Sequence, residues 1–529
     1  MHRRIVSGFA IAACLAARSV VAEDALLPFA IQTIPSAGRT VSAEIVDLDG
    51  DGRAELLAIV FRGVWPDETR EIHVHYQDAN GTLPAAPSWS APLPEDAASY
   101  DLAELDDERG SELLLLVRDG IDVLSLAART PKWRTLLVAS PPTVAVRPDE
   151  RGLDRLRIAR PELGKGRLLV PGLGDAWLLG ASGEALGRLR VGGRANYLVP
   201  PRPGPTLGEN ELELYFDVPT LHVADVDGDG RSDVIATNRH ALRIFRQRSD
   251  GAFPSDPDRE LALRLMSLED QVRNSGSVRC DMRDLDGDGR ADLLVSHASG
   301  GLTHAMNRTR IHLNRNGNFD LANPDQVFER QGGVAADELV DIDGDGRPEW
   351  LRVFMPFGLL QIAEIFVQRA IDVRAEIRRG SETGRFEEKP SIERSFSIPF
   401  DFETLRPRGF VPTLARDWNG DGKLDLLGSA DGKAIEVCLG GADRSFARCE
   451  PRQPLDTGGR VRFGDLDGDG LSDFVLYDTR RPDVPVRIGI NRGNLPGTPP
   501  QLRSRRGGAG RQVIFCQVIH GADAYAPSN

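Results

Sequence analysis

Basic charge is in short supply: 65 lysines and arginines face 79 aspartates and glutamates over 529 residues, for a formal charge of −14. That deficit argues against nucleic acid or an anionic membrane as the main partner. Long hydrophobic runs are missing too. Beyond residue 17 no stretch approaches 18 uncharged apolar residues, so no transmembrane anchor is expected. Cysteine is scarce, five in all, and its spacing suggests neither a zinc nor a redox site. A GxSxG nucleophile elbow is absent, and long amphipathic helical patterns are few.

The first 22 residues read as an export signal. Arg3 and Arg4 form a positive n-region, and Ile5 to Ala17 is apolar but too short to span a bilayer. Val20 and Ala22 place small residues before a cut ahead of Glu23. A second reading competes: Ile11-Ala12-Ala13-Cys14 resembles a bacterial lipobox, in which Cys14 would carry a lipid anchor. Either way the expected location is periplasmic, secreted or cell-surface. Loss of Arg3, Arg4 and Arg18 takes the formal charge from −14 to −17 (−14 − 3). Four cysteines remain. Cys438 and Cys449 flank a hairpin-like VCLGGADRSFARC and are the expected disulfide pair. For Cys280 and Cys516 a buried free thiol is an equal alternative.

What the chain has in quantity is one short repeat. It appears as DLDGDGRAELL from Asp47, DVDGDGRSDVI from Asp225, DLDGDGRADLL from Asp284, DIDGDGRPEWL from Asp341, DWNGDGKLDLL from Asp417 and DLDGDGLSDFV from Asp465. A weaker copy, ELDDERGSELL, starts at Glu104 and keeps Glu104, Asp106, Glu108 and Glu112 without the two loop glycines. Between 104 and 225 lies PELGKGRLLVPGLGDAWLLG from Pro161, read as a decayed eighth unit, which makes the mean period about 60 residues. A second marker recurs in register: QDANGTL (Gln77 to Leu83), RSDGAF (Arg248 to Phe253), NRNGNF (Asn314 to Phe319), SETGRF (Ser381 to Phe386) and GGADRSF (Gly440 to Phe446). These read as hairpin loops between strands. Two markers per period predict four short strands per unit, the blade of an all-β propeller with seven or eight blades. The residues after the signal, 23–529, are read as that single propeller. Phe354 to Ala370 is an expected insertion, as a helix or a long hairpin, and Pro200 to Leu207 a surface loop. The strand from Gln512 to Ile519, after the basic turn at Arg503, is expected to join N-terminal strands and close the ring.

The loops place oxygen ligands at positions 1, 3, 5 and 9. These are Asp47, Asp49, Asp51 and Glu55; Asp225, Asp227, Asp229 and Asp233; Asp284, Asp286, Asp288 and Asp292; Asp341, Asp343, Asp345 and Glu349; Asp417, Asn419, Asp421 and Asp425; Asp465, Asp467, Asp469 and Asp473. Glycines at positions 4 and 6 let the chain coil tightly. Six or seven hard oxygens around one small volume suit calcium, which accepts about 6–8 at roughly 2.3–2.6 Å. Zinc would want His or Cys, which these loops lack. Packed carboxylates also oppose each other's ionisation unless a cation neutralises them. Six calcium ions would move the charge from −17 to −5, and the Glu104 loop is a candidate seventh site. An EF-hand is excluded because position 12 is Ala58, Ala236 and Val295 in three loops, where a bidentate Glu is needed.

Acids at 1, 3, 5 and 9 with strand flanks, repeated about every 60 residues over Ala30 to Gly493, resemble the FG-GAP repeats of integrin α-subunit heads and the VCBS repeats of secreted bacterial proteins. The resemblance implies a loop that joins the first two strands of each blade and binds calcium on one face. Other candidates read as structural. His73 and His75 share one face of a strand, where packing is favoured over a zinc pair. His222 reads as packing beside its loop. Trp350 and Trp418 are expected between blades, with exposed sugar stacking as the alternative. The expected function is a non-enzymatic scaffold that recognises a protein or glycan. A structural cell-surface module and a polysaccharide lyase are the alternatives; for the lyase, Glu364 and Arg369 are the only catalytic candidates in the insertion.

Overall fold

A computed structural model describes residues 27–503 except 138–152, 199–212, 269, 271–275, 301–304, 343, 356–358, 403–405, 408, 441–445, 447–448 and 483. The export signal, Cys14, the loop at 200–207, Cys516 and the expected strand at 512–519 lie outside the described residues.

Strand burial follows position in the blade. Second strands such as Glu55–Arg62 (ELLAIVFR) and Glu112–Val117 (ELLLLV) are buried nearly throughout, because both faces are covered by neighbouring sheets. They therefore read as continuous apolar runs. Outermost strands such as Trp89–Pro92 and Arg259–Ala262 alternate between half-buried and exposed residues, since one face is in water.

Eight sheets form eight blades. Blade 1 runs from Arg39–Val46 through Glu55–Arg62 and Thr69–His75 to Trp89–Pro92. Blade 2 is Ser99–Ala103, Glu112–Val117, Gly120–Ser125 and Lys132–Leu137, with Asp154–Arg155 added parallel to its first strand. Blade 3 is the decayed unit. It keeps Leu168–Pro171, Ala176–Leu179 and Ala185–Leu189, and its first strand survives only as the bridge Ala159 to Leu168. Blades 4 to 7 begin at Thr220, Ser277, Gly333 and Thr413. A separate hairpin, Arg194–Leu198 with Glu213–Asp217, stands between blades 3 and 4. Blade 6 carries the insertion as a helix, Leu359–Gln368, between its second and third strands.

The core is divided between the blades. Eight apolar clusters lie one at each blade junction, including the junction of blade 8 with blade 1 (Val475, Tyr477 and Ile488 against Ala43, Ile45 and Leu56). Eight blades with eight filled junctions make a closed ring. The structure thus fixes the number at eight.

Among the described residues the ring is closed by a strand from the other end of the chain. Phe29–Ile34, near the N-terminus, pairs antiparallel with Val486–Asn491 as the outer strand of blade 8. Its Phe29 ring packs edge-on against Trp418 (5.6 Å) and Phe474 (5.0 Å). The expected disulfide forms between Cys438 and Cys449 in blade 7, and Cys280 is a buried free thiol.

Candidate metal centres

In the six strong repeats the DxDGDG segment joins the first strand of a blade to the second, so all six loops lie on one face. Their shape is set by the position-1 carboxylate. One Asp47 oxygen accepts the Gly50 N–H at 2.7 Å and the other accepts the Gly52 N–H at 3.0 Å. The same pair of bonds recurs from Gly228 and Gly230 to Asp225, and from Gly468 and Gly470 to Asp465. The twelve glycines at positions 4 and 6 have φ between 74° and 89°, a region costly for any residue with a Cβ.

Position 9 opens the second strand and points back under the loop. One of its oxygens accepts the position-2 N–H: Leu48 to Glu55 (2.7 Å), Val226 to Asp233 (3.0 Å), Leu285 to Asp292 (2.9 Å), Trp418 to Asp425 (2.7 Å) and Leu466 to Asp473 (2.7 Å). The other oxygen often accepts an N–H from the end of the blade's third strand or just beyond it, as from Asn314 to Asp292 and from Asn491 to Asp473, both 2.7 Å.

The side chain at that place ties loops together, which sequence reading missed. The Asn314 amide donates to Ala291 O in its own loop (3.0 Å) and to Val226 O in the loop of blade 4 (2.7 Å). Asn491 does the same with Ser472 O (3.3 Å) and Trp418 O (2.8 Å) of blade 7. Gln77 joins Ala54 O (2.6 Å) to Leu466 O of blade 8. Each amide clamps one loop to the loop before it. Gln77 and Asn314 had stood only as the first letters of motifs that looked like plain turns, and Asn491 in none of them. Asn314→Ala leaves two buried carbonyls without this donor and is expected to cost about 2–3 kcal/mol, measured by urea denaturation.

Four loops gather three carboxylates whose oxygens lie within 4.8 Å of one another: Asp47, Asp49 and Glu55; Asp225, Asp227 and Asp229; Asp284, Asp286 and Asp292; Asp465, Asp467 and Asp469. In blade 6 Asp343 lies outside the described residues, while Asp341 keeps its bonds to Gly344 and Gly346. In blade 7 Asn419 turns its amide nitrogen to Pro496 O (2.9 Å) and leaves its oxygen toward Asp421 N–H (3.1 Å). Burial is the main cause of raised position-9 carboxyls, and loop carboxylates add to it. Glu55 is pushed up to about 8 and Asp292 and Asp425 to about 7, and Asp473 is also raised. A cation would relieve both causes. The donor set fits a hard divalent ion, and one oxygen argues for it directly: Asp227 Oδ1 is buried without any hydrogen-bond partner.

The Glu104 loop keeps the Leu105 N–H bond to Glu112 at 2.9 Å, so its path resembles the others. Asp106 still meets Glu112, but no three of its acids gather among the described residues. Lys132 Nζ sits 3.0 Å from Glu108, Arg134 lies 3.9 Å from Asp106, and Lys165 pairs with Asp107. Basic side chains thus pair with its outer acids.

The remaining candidates are structural. His73 is buried and meets Glu71 at 2.8 Å, while His75 bonds Pro84 O at 2.9 Å, and neither faces a third ligand. His222 bonds Thr237 Oγ1 at 3.0 Å. Trp350 and Trp418 are fully buried at the blade 5–6 and 7–8 junctions, which removes the stacking alternative. Glu364 is exposed on the blade 6 helix, and Arg369 follows that helix in a left-handed conformation (φ 55°).

Three segments, residues 225–295, 284–351 and 417–476, match the family model of the FG-GAP-like repeat. No curated protein matches the chain. Solved structures resemble it at low identity. A lectin of Agrocybe aegerita that recognises non-reducing terminal N-acetylglucosamine is 15% identical over 86% of each chain, with a TM-score of 0.35. The exotype rhamnogalacturonan lyase YesX is 13% identical, over 87% of this chain and 76% of its own, at 0.33. The V. cholerae biofilm matrix protein Bap1 is 12% identical, over 89% of this chain and 92% of its own, at 0.31.

Proposed function

Because the chain is an FG-GAP repeat β-propeller, we propose that it is an exported, non-enzymatic binding scaffold whose loop-bearing face is stiffened by calcium. The observation that carries this reading is the buried, unpartnered Asp227 Oδ1 inside a ring of carboxylates coiled by two left-handed glycines. The oxygens that would hold the ion come from positions 1, 3, 5 and 9 of each loop. Calcium suits them because it tolerates irregular shells of about 6–8 oxygens, whereas magnesium demands near-octahedral geometry. With one face committed to ions, a protein or glycan partner is assigned to the opposite face. Loops there display apolar side chains to solvent: Val64 (78% exposed) and Trp65 (56%) in blade 1, Phe366 (64%) and Val367 (83%) in blade 6. The Cys438–Cys449 bond agrees with an oxidising compartment, and no helix among the described residues is long and apolar enough to cross a membrane.

Elemental analysis of desalted protein is expected to find several calcium ions per chain and no zinc. Metal-free protein whose circular dichroism and stability ignore added calcium would end this reading.

A further inference from the structure

We propose that Arg129 is the resident cation of the blade 1 loop, its guanidinium standing where calcium stands in the other five strong loops. The inference rests on the calcium reading above and divides the sites within it.

Arg129 belongs to blade 2, in the turn between Gly120–Ser125 and Lys132–Leu137. The turn is bent toward the blade 1 loop. Ala128 and Arg129 both take positive φ, 52° and 58°, which for two successive residues with a Cβ costs about 1–2 kcal/mol each. The Ala128 N–H donates to the Asp49 carbonyl at 2.9 Å, which ties the turn to that loop. From there Arg129 Nε donates to Asp49 Oδ2 at 2.7 Å, and its terminal nitrogen lies 3.5 Å from Asp51. The guanidinium carbon stands 4.5 Å from the centre of the Tyr76 ring, so one face of the cation rests on an aromatic.

Oδ1 of Asp49 accepts the Asp51 N–H at 3.0 Å, as Asp286 Oδ1 accepts the Asp288 N–H, so the guanidinium on Oδ2 is what sets this loop apart. The side chain is only 2% exposed, and a charge so buried needs a partner. Asp227, at the same position in blade 4, is the contrast. Its Oδ1 is buried and unpartnered, and the Arg246 nitrogen approaches its other oxygen only to 3.5 Å. The position-7 arginines do not play this part: Arg290 pairs with Asp288, an exposed position-5 residue. A divalent ion that took Asp49 Oδ2 would have to displace the guanidinium hydrogen-bonded to it, whereas Asp227 Oδ1 is open to an ion although Arg246 stands near its other oxygen.

Calcium per chain, counted after dialysis against micromolar free calcium, tests this. Wild type is expected to hold five ions and Arg129→Gln six. Asp49→Ala should leave the wild-type count unchanged, and Asp227→Ala should lower it by one. Arg129 is half exposed, so the glutamine variant is expected to fold, and the two aspartate variants decide the question without it. An unchanged count in Arg129→Gln, or the loss of one ion in Asp49→Ala, overturns the assignment while leaving calcium in the other loops. No ion in any variant overturns the assignment together with the calcium reading.

Discussion

Treatment with EDTA is expected to lower the melting temperature by something on the order of ten degrees, and millimolar calcium to restore it. An ion that binds only the folded chain stabilises it by about 2.7 kcal/mol per site when present at a hundred times its dissociation constant. Several sites share one ring, so their contributions combine as far as the ring melts as a unit. The amide clamps favour such coupling, since Asn314 and Asn491 each hold two successive loops. Differential scanning calorimetry in both buffers is the measurement. Coincident transitions would mean that the carboxylate loops are turns and nothing more.

Asp473→Ala is expected to be the most damaging single loop substitution, at about 3–5 kcal/mol, and to remain damaging in EDTA. Asp473 is fully buried, and its two oxygens accept the Leu466 and Asn491 N–H groups at 2.7 Å each. Alanine leaves both donors without an acceptor. Asn491 also pairs with Phe29 of the closing strand, so the damage falls where the two ends of the ring meet. Asp288→Ala is the control. Asp288 is exposed and accepts only local bonds, from the Arg290 N–H (2.9 Å) and guanidinium (2.8 Å). Its loss should matter in calcium and vanish in EDTA. Urea denaturation of both variants in both buffers separates the two roles; equal calcium sensitivity would refute the division.

The loops and blades were legible in the sequence because each is a local pattern. A carboxylate at position 1 and glycines at 4 and 6 act within six residues, and the hairpin marker QDANG or NRNG acts within five. Even the decayed blade 3 betrayed itself by its apolar strand at Leu168. Closure was not legible. Phe29–Ile34 alternates like any edge strand, and nothing local says that its partner lies at 486–491. The clamps were hidden for a different reason: Gln77, Asn314 and Asn491 act through carbonyls of the preceding blade, which no motif encodes. Arg129 shows the same limit, since its reach to Asp49 crosses 80 residues.

The strand that shuts the ring has a consequence for how the molecule comes to be. Residues 29–34 are made first, yet their partner at 486–491 is among the last parts of the propeller to exist. Seven blades can stack in the order of synthesis, each against its predecessor. The opening segment must wait unpaired until the final one arrives, so docking of Phe29 beside Trp418 is the late step of assembly. Until then the growing protein is an open arc with an uncovered edge at either end.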